Sequence, residues 1–194
     1  RTGDLLNTVI SLTSAHGNAE YKDNKIIHKG KLSDNDLQFC LVANVITDGD
    51  ATNSCDGISV QNATEITVIF SADTDYIDCY PKYRTGEGAE TLFNRVSEIV
   101  SNATQKGFDV LLKAHTDDFS SLYNRVSLDL DGNVTGPADK LIHKYNKFDR
   151  RSAEQILYQY GRYLAISSTR ETDVLPSNLQ GIWNAYDVPP WSNG

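Results

Sequence analysis

Methionine is absent from these 194 residues, and cysteine, tryptophan and histidine are scarce, at three, two and four copies. The three thiols, Cys40, Cys55 and Cys79, are scattered without a CxxC pair, so they cannot supply the closely spaced ligands of a structural zinc site. Cys40 lies inside the apolar run Leu37–Ala43 and reads as a core residue. A Cys55–Cys79 disulfide is compatible only with an exported protein. His16, His28, His115 and His143 fall in four different expected elements, so no metal site is expected among them. Positive charge is also short. Eighteen Lys and Arg face 26 Asp and Glu, a net charge of -8, which argues against a nucleic-acid partner needing a basic footprint. No apolar run nears the roughly 18 residues of a membrane-spanning helix, so no membrane partner is expected. Residues 1–20 lack the charged start and apolar block of a secretion signal. Without any Met, the opening Arg1-Thr-Gly-Asp-Leu reads as the inside of a longer protein, and on that reading the missing leader says nothing about compartment. GxSxG, HExxH, P-loop and GxGxxG patterns are all absent.

What is present suits a folded chain, with 39% hydrophobic and 23% charged residues. Residues 1 to about 85 read as antiparallel strands: Leu5–Thr13, Ile26–Ile27, Leu37–Thr47, Ile58–Val60 and Glu65–Ala72. Asp48-Gly49 and Asp56-Gly57 are turn signals. In the last strand Ile66, Val68 and Phe70 alternate with Thr67, Ile69 and Ser71. Short strands at this spacing suggest a β-sandwich.

From Ala89 the period lengthens. Ala89, Leu92, Phe93, Val96, Ile99, Val100 and Ala103 form one helical face, which Gly107 ends. Phe108, Leu111, Leu112, His115, Phe119 and Leu122 repeat it in a second helix that closes near Tyr123, placing His115 as a buried structural histidine. Arg125–Leu130 alternates as a strand. Asp129–Asn133 resembles a calcium loop but carries Val134 where Gly is needed and Lys140 where Glu is needed, so a solvated turn is the better reading. After a charged connector, Ser152 and Gln155 match a capping box for a helix that turns Ile156, Tyr160, Tyr163 and Leu164 inward. Asn62, Asn102 and Asn133 open glycosylation triplets that matter only in a eukaryotic secretory setting. The fold class is therefore α+β.

The last helix leads into Leu179-Gln-Gly-Ile-Trp-Asn184 and Pro189-Pro-Trp191. Trp183 and Trp191 offer flat apolar faces for the C–H groups of a sugar, and Gln180 and Asn184 offer amides for its hydroxyls. The competing reading is a rigid loop with both indoles as core plugs.

These residues carry a resemblance. Tyr158–Arg170, Leu175–Asn184 and Pro189–Trp191 resemble glycoside hydrolase family 95, chiefly α-L-fucosidases, and His115–Leu130 is similar to the connector between that family's sandwich and barrel. Leu37–Ala43 and Asn62–Phe70 look like strands of its N-terminal domain. The resemblance implies a multi-domain fragment: residues 1–88 as the closing part of a β-supersandwich, 89–150 as a helical linker and connector, and 151–194 as the opening of an (α/α)6 barrel. It also implies an inverting hydrolysis of fucosylated glycans outside the cell, with no cofactor. A Glu acts as general acid, and water is assisted by asparagines and an Asp. None of those catalytic residues has a counterpart in residues 1–194 on this resemblance. The segment is thus expected to be inactive alone, to partner the remainder of its own polypeptide, and to leave an apolar sandwich face uncovered. Only Gln180, Trp183, Asn184 and Trp191 carry over, as substrate-binding residues. Two readings stay open beside it: specificity for an α-L-galactoside, and a non-catalytic carbohydrate-binding or structural module.

Overall fold

The computed structural model describes residues 5–132, 135–143, 145 and 150–170. The chain divides into two compact units, Arg1–Leu112 and Lys113–Gly194.

The described residues of the first unit form seven strands, β1 (Leu6–Ile10), β2 (Glu20–Lys22), β3 (Lys25–Lys31), β4 (Gln38–Thr47), β5 (Asp50–Ser54), β6 (Gly57–Ala63) and β7 (Ile66–Thr74), followed by helix α1 (Ala89–Lys106). All pairings are antiparallel. They build a three-stranded sheet in the order β1-β6-β5 and a four-stranded sheet in the order β2-β3-β4-β7. Strand β4 explains the arrangement. Its residues are apolar on both faces because both faces are covered. Ala43 and Val45 join Ile26, Ile58, Val60 and Ala63 in one core, while Cys40 and Val42 meet Leu92, Val96 and Val100 of α1 in another. Each fully buried Val, Leu or Ile among them contributes roughly 1.5–3 kcal/mol. Cys40 is a core residue, as expected, and the three thiols are free.

Two turns show why backbone chemistry mattered more than hydropathy. Asp23 and Asn24 both take positive φ, 51° and 57°, the hairpin conformation that matches strand twist. This joins β2 to β3, and β2 is a strand that hydropathy misses because Glu20 and Lys22 are polar. At Gly49 a Cβ would lie 2.3 Å from the Gln61 carbonyl oxygen, so close backbone approach demands glycine.

In β7 the alternation holds, with a consequence. Phe70 pairs with Ala43 and Val68 with Val45, so both side chains lie on the face turned toward the second sheet. Yet Phe70 remains 66% and Val68 42% exposed. Only the β7 edge of this face is open to solvent, since Ala43 and Val45 beside it are buried. In α1, Ile99 is exposed rather than inward, since the buried stripe centres on Val96 and Ile99 falls at its edge. Gly107 ends the helix at φ 75°, as expected. Helix α2 (Phe108–Tyr123) follows directly.

The second unit contains α3 (Ala138–His143) and α4 (Arg150–Ser168). Four expectations are corrected in residues 113–170. Residues 126–130 form no strand; the Leu130 amide is bonded instead to the Gln155 side chain at 3.2 Å. Ser152 is not an N-cap, because α4 begins two residues earlier and Ser152 is fully buried beside Gly132. His115 is exposed, stacked on Phe119 at 6.1 Å between ring centroids, because α2 buries none of its residues fully. Tyr160 and Tyr163 are likewise exposed, at 56% and 46%. The mixed α+β class itself stands: antiparallel sheets precede helices.

Candidate functional site

The second unit holds a groove whose lining residues precede the terminal segment in sequence. Helix α4 carries Arg162 and Ile166 four residues apart, which puts them on one stripe, and Arg170 follows two residues past the end of the helix. Opposite them stand Asp118 and Leu122 of α2 and Arg125 just beyond it, and together these residues line an open groove of about 980 Å³.

Arg162 fixes its shape. The guanidinium donates to the carbonyl oxygens of Tyr123 and, at 2.8 Å, Val126. The last carbonyls of a helix lack partners within it, so this fork satisfies the end of α2 and the turn after it. The same group lies 4.5 Å from the Tyr123 ring centroid, a cation–π contact. Beside it Phe119 packs 5.8 Å from Tyr163 and 5.2 Å from Tyr123. Arg170 is held by the Asp118 carboxylate, and Arg125 donates through Nε to the Ser121 carbonyl at 3.0 Å.

The groove's lining therefore supplies support. Its one carboxylate among the described lining residues, Asp118, is tied to Arg170. General acid and base work on a glycoside takes two carboxyl groups with room for water or a bond between them. The stripe on α4 could have been found from its spacing, but a sequence does not say that an Arg will meet backbone carbonyls 36 and 39 positions earlier.

Gln180, Trp183, Asn184 and Trp191 lie outside the described residues. Elsewhere the fold brings one suggestive pair together, Ser14 Oγ and His28 Nε2 at 2.9 Å. No described residue bonds the buried Nδ1 of His28, so the orienting acid of a hydrolytic triad is missing. His28 packs against Phe39 instead, with centroids 5.0 Å apart. No group of three or more His, Cys, Asp or Glu suited to a metal occurs among the described residues, and no described helix is long and apolar enough to cross a membrane.

Comparison with known sequences adds what the described residues leave open. Residues 107–194 match the model of the glycosyl hydrolase family 95 catalytic domain. The chain is 30% identical over 151 residues to a probable alpha-fucosidase A of Aspergillus niger, covering 74% of this chain and 19% of that protein. It is 30% identical over 177 residues to alpha-L-fucosidase 2 of Arabidopsis thaliana, covering 84% of this chain and 20% of that protein. A probable alpha-fucosidase A of Aspergillus oryzae is 28% identical over 143 residues. The chain thus spans about a fifth of the length of these curated relatives.

Proposed function

This chain belongs to glycosyl hydrolase family 95, with residues 107–194 in its catalytic domain, and on that premise we propose that it is part of an α-L-fucosidase. The activity is hydrolysis of terminal α-linked L-fucose with inversion at the anomeric carbon. The observation that carries the proposal is the family match across residues 107–194, a stretch that contains Gln180, Trp183, Asn184 and Trp191. The names of the relatives support fucose as the sugar.

In this reading the chain's parts divide the work. Residues 1–88 close a β-supersandwich, 89–150 link, and 151–194 open the (α/α)6 barrel. The α2–α4 pair, clamped by Arg162, precedes the terminal segment in sequence. Trp183 and Trp191 lay indole faces against the fucose ring, whose C–H groups suit an apolar plane. Gln180 and Asn184 supply donors and acceptors to its hydroxyls. The general acid and the groups that activate water come from the remainder of the polypeptide. In an inverting site acid and base stand about 6.5–9.5 Å apart to admit that water.

The test follows the product. The chain joined to the remainder of its polypeptide should release L-fucose from an α-L-fucoside, with the β anomer appearing first by proton NMR, and should release no galactose from the matching α-L-galactoside. The 194-residue chain alone should release neither. Initial formation of the α anomer would overturn inversion, preferential cleavage of the galactoside would overturn the sugar, and turnover by the chain alone would overturn its dependence on the remainder.

A further inference from the structure

Between β7 and α1 the chain makes an excursion that the proposed activity does not use. Its base is locked. Asp75 is buried, and its Oδ1 accepts from the Gln38 amide at 2.9 Å and from Arg84 Nη1 at 3.3 Å. The Asp75 amide donates back to the Gln38 carbonyl at 3.1 Å, and the Thr85 amide donates to the Asp75 carbonyl at 2.8 Å. Arg84 reaches further, donating to the Asn35 carbonyl. Tyr76 and Arg84 pair as an antiparallel bridge, so residues 76–84 form a short ribbon fastened at its root to β4.

The far part of the ribbon displays aromatic rings. Tyr76 and Tyr83 stack with centroids 6.5 Å apart and an interplanar angle of 4°. Tyr80 stands edge-on to Tyr83 at 6.3 Å and 81°. Tyr80 is 82% exposed, and Tyr76, Ile77 and Tyr83 are exposed beside it. Tyr83 holds φ at +53°, which is uncommon for a bulky residue and is where functional sites concentrate strain. None of the three hydroxyls bonds a described residue.

We infer that the ribbon Tyr76–Arg84 is a glycan-binding platform that takes neutral sugar rings on Tyr80 and the Tyr76–Tyr83 stack. Flat rings accept the C–H face of a pyranose, and free phenolic hydroxyls at their rims meet its hydroxyls. Charge favours a neutral ligand. Asp78 and Lys82 on the ribbon offset each other, and Arg84 is spent on Asp75, so neither a polyanion nor a cation is matched. The ribbon precedes the residues that match the family's catalytic domain. The inference rests on the proposed glycan-directed function and extends it: the platform would hold a larger glycan while one terminal residue is removed.

The experiment measures binding apart from turnover. The full chain is titrated with 2′-fucosyllactose and with lactose, following tyrosine fluorescence and calorimetry, for the parent and for Tyr80→Ala, Tyr80→Trp and Tyr83→Gly. The glycine variant keeps the positive φ while removing the ring. Saturable binding of either sugar is expected, weakened about tenfold or more by Tyr80→Ala and by Tyr83→Gly and retained by Tyr80→Trp. Thermal midpoints should stay near the parent's, because the rings are exposed. Equal binding by parent and Tyr80→Ala overturns the platform, as does no binding by the parent, including the case in which Tyr80→Ala instead abolishes self-association. Release of L-fucose by the chain joined to its remainder is scored separately, so either reading can fail without the other.

Discussion

Arg162 grips Tyr123 twice, donating a hydrogen bond to its carbonyl oxygen and laying its guanidinium 4.5 Å from the centre of its ring. One side chain of α4 thus closes the end of α2 through both the backbone and the side chain of the same residue. A planar fork is required for this, because the group must face a ring while its edge points at two carbonyls, those of Tyr123 and Val126.

Arg162→Lys should therefore behave almost as poorly as Arg162→Ala. An ammonium cannot hold two carbonyls and a ring at once. Either change should lower stability by about 1–3 kcal/mol, the loss expected when charge-assisted bonds are removed and partners left unsatisfied. Urea unfolding followed by circular dichroism measures it. Asp118→Asn is the internal control. Its partner Arg170 lies in a largely exposed pair, and such pairs contribute about 0–1 kcal/mol. A lysine variant as stable as the parent would show that the fork geometry is irrelevant.

The two faces of the four-stranded sheet should respond oppositely to truncation. Leu92, on the inner face of α1, is 1% exposed, so Leu92→Ala leaves a cavity against Cys40 and Val42 and should cost about 2–5 kcal/mol. Phe70 is exposed, and Phe70→Ser should change stability by no more than about 0.5 kcal/mol while raising the concentration at which the chain stays monodisperse by light scattering. If Phe70→Ser instead destabilises as much as Leu92→Ala, the face is covered in solution.

How legible this was depends on which interactions are local. Periodicity located β4, β7, α1 and α2 because their apolar spacing answers to one partner surface. It missed β2 and β5, whose strand state comes from neighbouring strands and from a hairpin at Asp23-Asn24 rather than from their own polar residues. It misplaced the start of α4, since Ser152 and Gln155 fit a cap locally yet serve long-range needs: Ser152 fills space beside Gly132, and Gln155 answers the Leu130 amide. His115 sat on an apolar stripe, but a stripe says nothing about whether its cover is present. Gln180, Trp183, Asn184 and Trp191 are proposed to face a sugar only from the chemistry of indoles and amides close together in sequence, and they lie outside the described residues.

Acid should loosen the β6–β7 connection first at Asp48. Its carboxylate accepts from the Thr64 amide at 2.9 Å, the Glu65 amide at 3.0 Å and the Thr64 hydroxyl. The Thr64 hydroxyl, followed by the backbone amides, holds its pKa below the ordinary value of 3.8. A depressed carboxylate stabilises the fold above its unfolded pKa and loses that contribution as pH falls through the folded value. Asp48→Asn should consequently be less stable than the parent at pH 7, and the gap should shrink once pH drops below about 4. Thermal melts at pH 7, 5 and 3 check the sign, and a gap that widens on acidification contradicts it.

Trp183 offers the most direct trial of the terminal segment, because its two readings separate kinetically. A ring that stacks on fucose contacts the substrate and the transition state alike, and removing such uniform binding raises KM while leaving kcat unchanged. For the chain joined to the remainder of its polypeptide, Trp183→Ala should raise KM for an α-L-fucoside about tenfold or more, Trp183→Phe should recover most of the loss, and the thermal midpoint should change little. An indole serving as a core plug behaves otherwise. Its truncation costs about 3–5 kcal/mol of stability, visible as a lowered midpoint, while the molecules that remain folded keep the parent's KM. Steady-state kinetics at a temperature well below both midpoints, paired with calorimetric melts of the same samples, distinguishes stacking from packing.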